Sequence, residues 1–146
     1  MNKILSVFLV LNFILYSSAF AKKTSAELAE ENATADSAVE EFLTKCFQDY
    51  LKQLSKPNEK VKKRCVSIPF RTEWKKIATL KNIDPLLLVE TPSPAWKSQV
   101  EIVDANARLK SAKVLIGEDE EQLCLKVKID KTEDDLKISS TRKCAN

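Results

Sequence analysis

The chain has 146 residues, with 24 basic against 21 acidic side chains, four cysteines, one glycine and no histidine. Without histidine it lacks the usual general base, the Ser–His and Cys–His nucleophile pairs and the commonest zinc ligand. Charges of both signs are interspersed and no face is obviously basic, which argues against nucleic-acid binding and against a general affinity for anionic membranes.

The opening "MNKILSVFLVLNFILYSSAFA" places Lys3 before an apolar run from Ile4 to Tyr16 and closes on Ala19-Phe20-Ala21. A charged start, an apolar stretch and a small-x-small site describe a secretory signal peptide over 1–21. The run is broken by Ser6 and Asn12 and falls short of the roughly 20 apolar residues that span a bilayer. Export with cleavage after Ala21 is therefore expected, to the periplasm or beyond the cell, with no integral membrane segment afterwards. Residues 22–35 carry one large apolar side chain, Leu28, and read as a flexible tether or frayed helix. A single domain is expected over 36–146.

From Asp36 the period changes. Val39, Phe42, Leu43, Cys46, Phe47, Tyr50, Leu51 and Leu54 are spaced alternately by three and one, the stripe of an amphipathic helix. Ser37 with Glu40 forms a capping box, and Pro57 is the stop. A shorter helical stretch, "NEKVKKRCVSIPF", sets Val61 and Cys65 on one side. Its basic run at 60–64 reads as a solvated helix face. Thr72 is expected to cap "EWKKIATL", Asp84-Pro85 to open a short turn through Leu88, and "ETPSPAW" to be an extended loop.

After Trp96 the period becomes two. Val100 and Ile102 alternate, then Ala112, Val114 and Ile116, then Leu123, Leu125, Val127 and Ile129, and "LKISSTRKC" supplies a fourth strand. Gly117 ends the second strand. The predicted class is α+β: a long N-terminal helix plus short helices packed on one face of a curved antiparallel four-stranded meander.

Cys46, Cys65, Cys124 and Cys144 all lie beyond the expected signal, show no C-x-x-C spacing and have no histidine to join them. Two structural disulfides are therefore expected rather than a metal site or a redox pair. Three connectivities are open; Cys46–Cys65 and Cys124–Cys144 are preferred. If a turn centres on Glu133-Asp134-Asp135, Cys124 falls opposite Cys144. That register sends Ile138 to the polar face of Lys126 and Lys128. Pairing Ile129 with Ile138 corrects this but turns Cys144 inward, so the stretch predicts one bulge between 138 and 144.

The order of "AVEEFLTKCFQDYL", "IDPLLLVETPSPAWKSQVEIV", "ARLKSAKVLIG" and "LCLKVKIDKTEDDLKISSTRK" resembles the nuclear-transport-factor-like, cone-shaped α+β fold. Within it, the closer likeness is to small secreted bacterial domains of unknown function, over about residues 36–143. The resemblance implies a pocket between sheet and helices, catalytic in some members and only binding in many.

Asp49, Glu73, Asp84, Glu90 and Asp104 are candidate general bases, but each has a plainer role on a helix face, at a cap or at a strand end, and none forms an evident pair. Tyr50 could donate from the inward stripe into a cavity, and Trp74 and Trp96 could line a pocket. An exposed Trp96 would instead suit a partner contact; core packing is the simpler role for each. No catalytic residue, metal site or cofactor is assigned. The function expected is a non-catalytic exported binding or interaction domain, stabilised by two disulfides, with a protein partner in the cell envelope. An immunity-type protein against an envelope-acting toxin is one concrete form. The alternative is a small-molecule pocket enzyme of the cone-shaped fold, using a carboxylate or Tyr50.

Overall fold

In the computed structural model the described residues are 23–54, 59–132 and 135–145. The expected signal peptide, the Pro57 stop and the Glu133-Asp134 turn centre lie outside them. Among the described residues, 31–145 belong to one compact unit and 23–30 to another. The described part of the latter contains the opening of helix α1, Ser25–Leu51. There Thr24 and Glu27 make a reciprocal capping box. The Thr24 N–H donates to the Glu27 carboxylate at 2.7 Å, and the Glu27 N–H donates to the Thr24 hydroxyl at 3.3 Å. These contacts hold the Glu27 carboxyl below its ordinary pKa, the Thr24 backbone N–H first and its hydroxyl second.

The helix thus begins twelve residues before the expected Ser37 cap, and Ser37 is an interior residue. Residues 25–35 are helical, one of the two forms expected for this stretch. Their alanines and glutamates are good helix formers, and "TSAE" offers an earlier capping box. Within the larger unit, α1 buries Val39, Leu43, Cys46, Phe47, Tyr50 and Leu51, the inward side of the stripe.

Two short helices follow, α2 at Glu59–Cys65 and α3 at Ile68–Lys81. Ser67, not Thr72, caps α3: its hydroxyl accepts the Phe70 N–H at 3.4 Å. Pro69 fits the first turn, where no amide hydrogen is needed. Thr72 sits one turn inside, donating to the Ile68 carbonyl at 3.2 Å. The α3 helix ends at Asn82 in the left-handed conformation, φ 49°. The "ETPSPAW" segment is a loop, bent at Glu90 and Thr91, only as far as Ser93. That residue caps a 3₁₀ helix at Pro94–Ser98, because a proline after a hydroxyl cap starts a helical turn as readily as it stops one.

The strands are β1 Val100–Asn106, β2 Ser111–Ile116, β3 Leu123–Lys131 and β4 Leu136–Lys143, antiparallel and in chain order across the sheet. Ile102, Val114, Leu125, Val127, Ile129 and Ile138 point inward and share one core with the α1 stripe and with Leu86 and Leu87. The fold is α+β with a long first helix.

On β4 the register conflict is resolved by a bulge. Lys128 faces Ser140 and Ile129 faces Ile138, leaving Ser139 unopposed. Ile138 is then fully buried, and the Cys144 N–H donates to the Cys124 carbonyl at 3.0 Å. Disulfides join Cys124 to Cys144, Cα atoms 5.4 Å apart, and Cys46 to Cys65, 5.8 Å apart. The second bond ties α1 to the end of α2. Immediately after it, Val66 makes a parallel bridge to Ile138, and the Ser67 N–H donates to the Ile138 carbonyl at 2.9 Å. Lys137 reaches back from β4 to the carbonyls of Lys63 at 3.3 Å and Arg64 at 2.5 Å, closing the C-terminal end of α2 with a cation.

Candidate functional site

Tyr50 leaves the inward stripe of α1 near its end, and its hydroxyl donates to Asp84 Oδ2 at 2.5 Å. Asp84 occupies the turn after α3. Its Oδ1 accepts the N–H groups of Leu86 at 2.9 Å and Leu87 at 2.8 Å, and its carbonyl accepts the Leu88 N–H at 2.7 Å. Thr141 on β4 donates to the Pro85 carbonyl at 3.2 Å, tying the turn to the sheet. Burial, then the charge of Asp84 and its hydrogen bond, push the Tyr50 phenol well above its ordinary pKa. A phenol whose proton is held in this way is neither a base nor a ready acid at neutral pH.

The pair has a spectroscopic consequence. The stability gained by keeping Tyr50 neutral is whole below pH about 10, where an unfolded tyrosine also keeps its proton, and declines as pH climbs further. Tyr16, in the expected signal, is the chain's other tyrosine. Absorbance at the phenolate band of protein beginning at Lys22 should therefore show no titration near pH 10 until the fold is lost. A reversible step near pH 10 in folded protein would show that the hydroxyl is free.

Trp74 stands edge-on to Tyr50, ring centroids 5.8 Å apart at 69°, and tilted against Phe70 at 5.9 Å. Lys62 Nζ lies 5.1 Å from the centre of its ring. Tyr50 and Trp74 are thus brought together, and both are 7 % exposed. Trp96 is elsewhere, packed against Gly117. At 7 % exposure it is not an open partner contact. The 3₁₀ turn rolls the indole inward, where its Nε1–H has no acceptor among the described residues.

The remaining carboxylates are dispersed. Asp49 pairs with Arg64 at 2.6 Å and Asp104 with Lys113 at 2.5 Å, while Glu73 and Glu90 lie on the surface. Among the described residues no three His, Cys, Asp or Glu side chains converge as metal ligands.

Two charged surfaces escaped the sequence reading. On the outer face of the sheet, Lys113, Lys126 and Arg142 stand directly opposite one another on three adjacent strands, with Lys128 on the next row. They border a shallow cleft of about 580 Å³. The outward lysines at 126 and 128 could be read from the period of two. Arg142 joins their row only through the register set beyond the bulge. The second surface is a cleft of about 400 Å³ between α2 and α3, lined by Lys62, Arg71, Trp74 and Lys75.

No protein-family model matches the chain. No curated protein matches it either. Among solved structures it is similar to a protein of unknown function from Bacteroides thetaiotaomicron, at 9 % identity and a TM-score of 0.57, over 80 % of this chain and 95 % of that one. Among the described residues no helix is long and apolar enough to cross a membrane. The likeness at that identity shows a shared fold and nothing of activity.

Proposed function

We propose that this is a non-catalytic exported binding domain that meets a protein partner in the cell envelope. The observation that carries the reading is the Tyr50–Asp84 pair. Tyr50 and Asp84, both candidates for acid–base chemistry, are instead bonded to each other and hold α1 to the turn after α3. All four cysteines are in disulfides. Export is supported by the N-terminal signal pattern and by those disulfides, which belong to oxidising compartments. In the cone-shaped fold that the sequence resembles, many members only bind.

The outer face of the sheet suggests the partner's chemistry. Like charges directly opposite across strands are destabilising. Lys126 and Arg142 form no ion pair among the described residues. An acidic protein surface would neutralise the row. Oxidised protein used as bait in envelope extract should retain a partner that salt releases. Lys126→Glu with Arg142→Glu should weaken that retention about tenfold or more, in line with charge pairs at interfaces. It should not lower the melting temperature, since the like-charge pair of Lys113 and Lys126 across the strands is removed. Undiminished retention by the double variant would rule out this face. Substrate turnover abolished by Asp84→Asn would favour the enzymatic alternative. An immunity-type role would be supported by a toxin gene beside this one whose product the domain neutralises.

A further inference from the structure

Arg71 sits where several local rules disfavour a cation. It ends the first turn of α3, near the positive pole of the helix dipole. Lys75 follows four residues later on the same side, a like-charge pair. The Arg71 Nε–H is buried with no acceptor among the described residues, although buried donors are nearly always satisfied. No hydrogen bond to that Nε–H and no ion pair of Arg71 or Lys75 among the described residues compensates these costs.

The surroundings show what could. Arg71, Lys62 and Lys75 line the cleft of about 400 Å³ between α2 and α3, with Trp74 beside them and Ile68, 71 % exposed, at the rim. Glu59 is the one carboxylate among the described lining residues, and it is already paired with Lys62 at 3.4 Å. Lys62 is held in place by that pair and by the Trp74 ring, so one of the three cations is pre-positioned.

We infer that the α2–α3 cleft is an oxyanion site that takes a phosphate group, with Arg71 as its principal ligand and Lys62 and Lys75 flanking it. A phosphate in the cleft accepts from the guanidinium fork in the two-pronged geometry that arginine favours. It draws the side chain toward the cleft, bringing Nε–H to an oxygen, and it offsets the repulsion between Arg71 and Lys75. The phosphate could be carried by a free small molecule or by a lipid headgroup; the chemistry of recognition is the same. The site lies on the helical side of the fold, and the inference does not rest on the partner face proposed above.

The test uses oxidised, ¹⁵N-labelled protein titrated with inorganic phosphate, and separately with phosphatidylglycerol vesicles. The Arg71 Nε–H resonance is assigned by its loss in Arg71→Met. A saturable shift of that resonance is expected. Arg71→Met should weaken phosphate binding about tenfold, the scale of a lost charge-assisted pair. In phosphate-free buffer it should melt no lower than the parent, because the local costs disappear with the charge. Response to phosphate alone would assign a free phosphate compound, and response to the vesicles a lipid headgroup. The site is overturned if neither probe moves the Arg71 resonance. It is equally overturned if Lys81→Met, outside the cleft, weakens phosphate binding as much as Arg71→Met does. The effect would then be one of general charge.

Discussion

Gly117→Ala is expected to destabilise the fold by about 4 kcal/mol, the sum of a strained backbone and an overpacked contact, each about 1–3 kcal/mol. Gly117 closes β2 with φ +88°, a conformation that side-chain-bearing residues rarely adopt. A Cβ there would lie 2.7 Å from Trp96 Nε1, 2.8 Å from Trp96 Cδ1 and 3.2 Å from the Glu121 carbonyl oxygen. Neither side can retreat easily. The indole is rigid and buried, and its turn is fixed by the Ser93 cap and by the Gln99 N–H donating to the Trp96 carbonyl at 3.2 Å. The glycine is held by its own N–H, which donates to the Gln99 carbonyl at 2.9 Å. Urea unfolding followed by tryptophan fluorescence would measure the loss, and the melting temperature should fall by about 10–20 °C for a domain of this size. A double-mutant cycle separates the causes. In a Trp96→Leu background the steric part should vanish, giving a coupling of about 1–3 kcal/mol, while the backbone part persists. Equal losses in both backgrounds would show that the indole contact is not the source.

The same contact shows how far residues alone could carry the reading. Gly117 was legible as the end of a strand, since the alternation of Ala112, Val114 and Ile116 stops there. Its necessity was not, because the ring that forbids a side chain belongs to a residue 21 positions earlier. Periodicity served well where burial is one-sided: the α1 stripe, β2, β3 and the start of β1 follow it, whereas β4 breaks it at the bulge. Even the need for that bulge could be inferred from the demands of Ile138 and Cys144. Caps were less secure. Ser37 and Thr72 are both chemically able to cap, but Thr24 and Ser67 are better placed, and local chemistry alone does not rank competing hydroxyls. The candidate site was partly visible. Tyr50 and Trp74 were each marked by their positions on helical stripes, whereas the Tyr50–Asp84 bond joins residues 34 apart and depends on how α1 meets the turn. Arg71 left no trace in the sequence, because what marks it is a buried donor without an acceptor, a property of packing alone.

Removing the two disulfides should have unequal effects despite their equal loops. Their sequence separations are 19 and 20 residues, so loop-closure entropy assigns each about 3 kcal/mol. Their surroundings differ. Cys46 and Cys65 are 2 % and 1 % exposed, inside the core, whereas Cys124 and Cys144 are half-buried on the outer face at the end of the β3–β4 ladder. Cys46→Ala with Cys65→Ala deletes packed sulfurs as well as the bond, and loosens the segment that seats Val66 and Ser67 on β4. It should lose about 4 kcal/mol, the cross-link plus about 1 kcal/mol of cavity cost. Cys124→Ala with Cys144→Ala should lose about 2–3 kcal/mol, since the adjoining ladder already holds the strands in register. Urea midpoints of the two double variants would give the difference. Chemistry on the native protein gives an independent measure, because a thiolate must reach a sulfur to open the bond. Under dithiothreitol with alkylation of the freed thiols, Cys124 and Cys144 should be labelled first, and Cys46 and Cys65 only on the timescale of unfolding. Simultaneous labelling of all four would mean that reduction passes through global unfolding alone, and that the difference in burial gives Cys46–Cys65 no protection of its own.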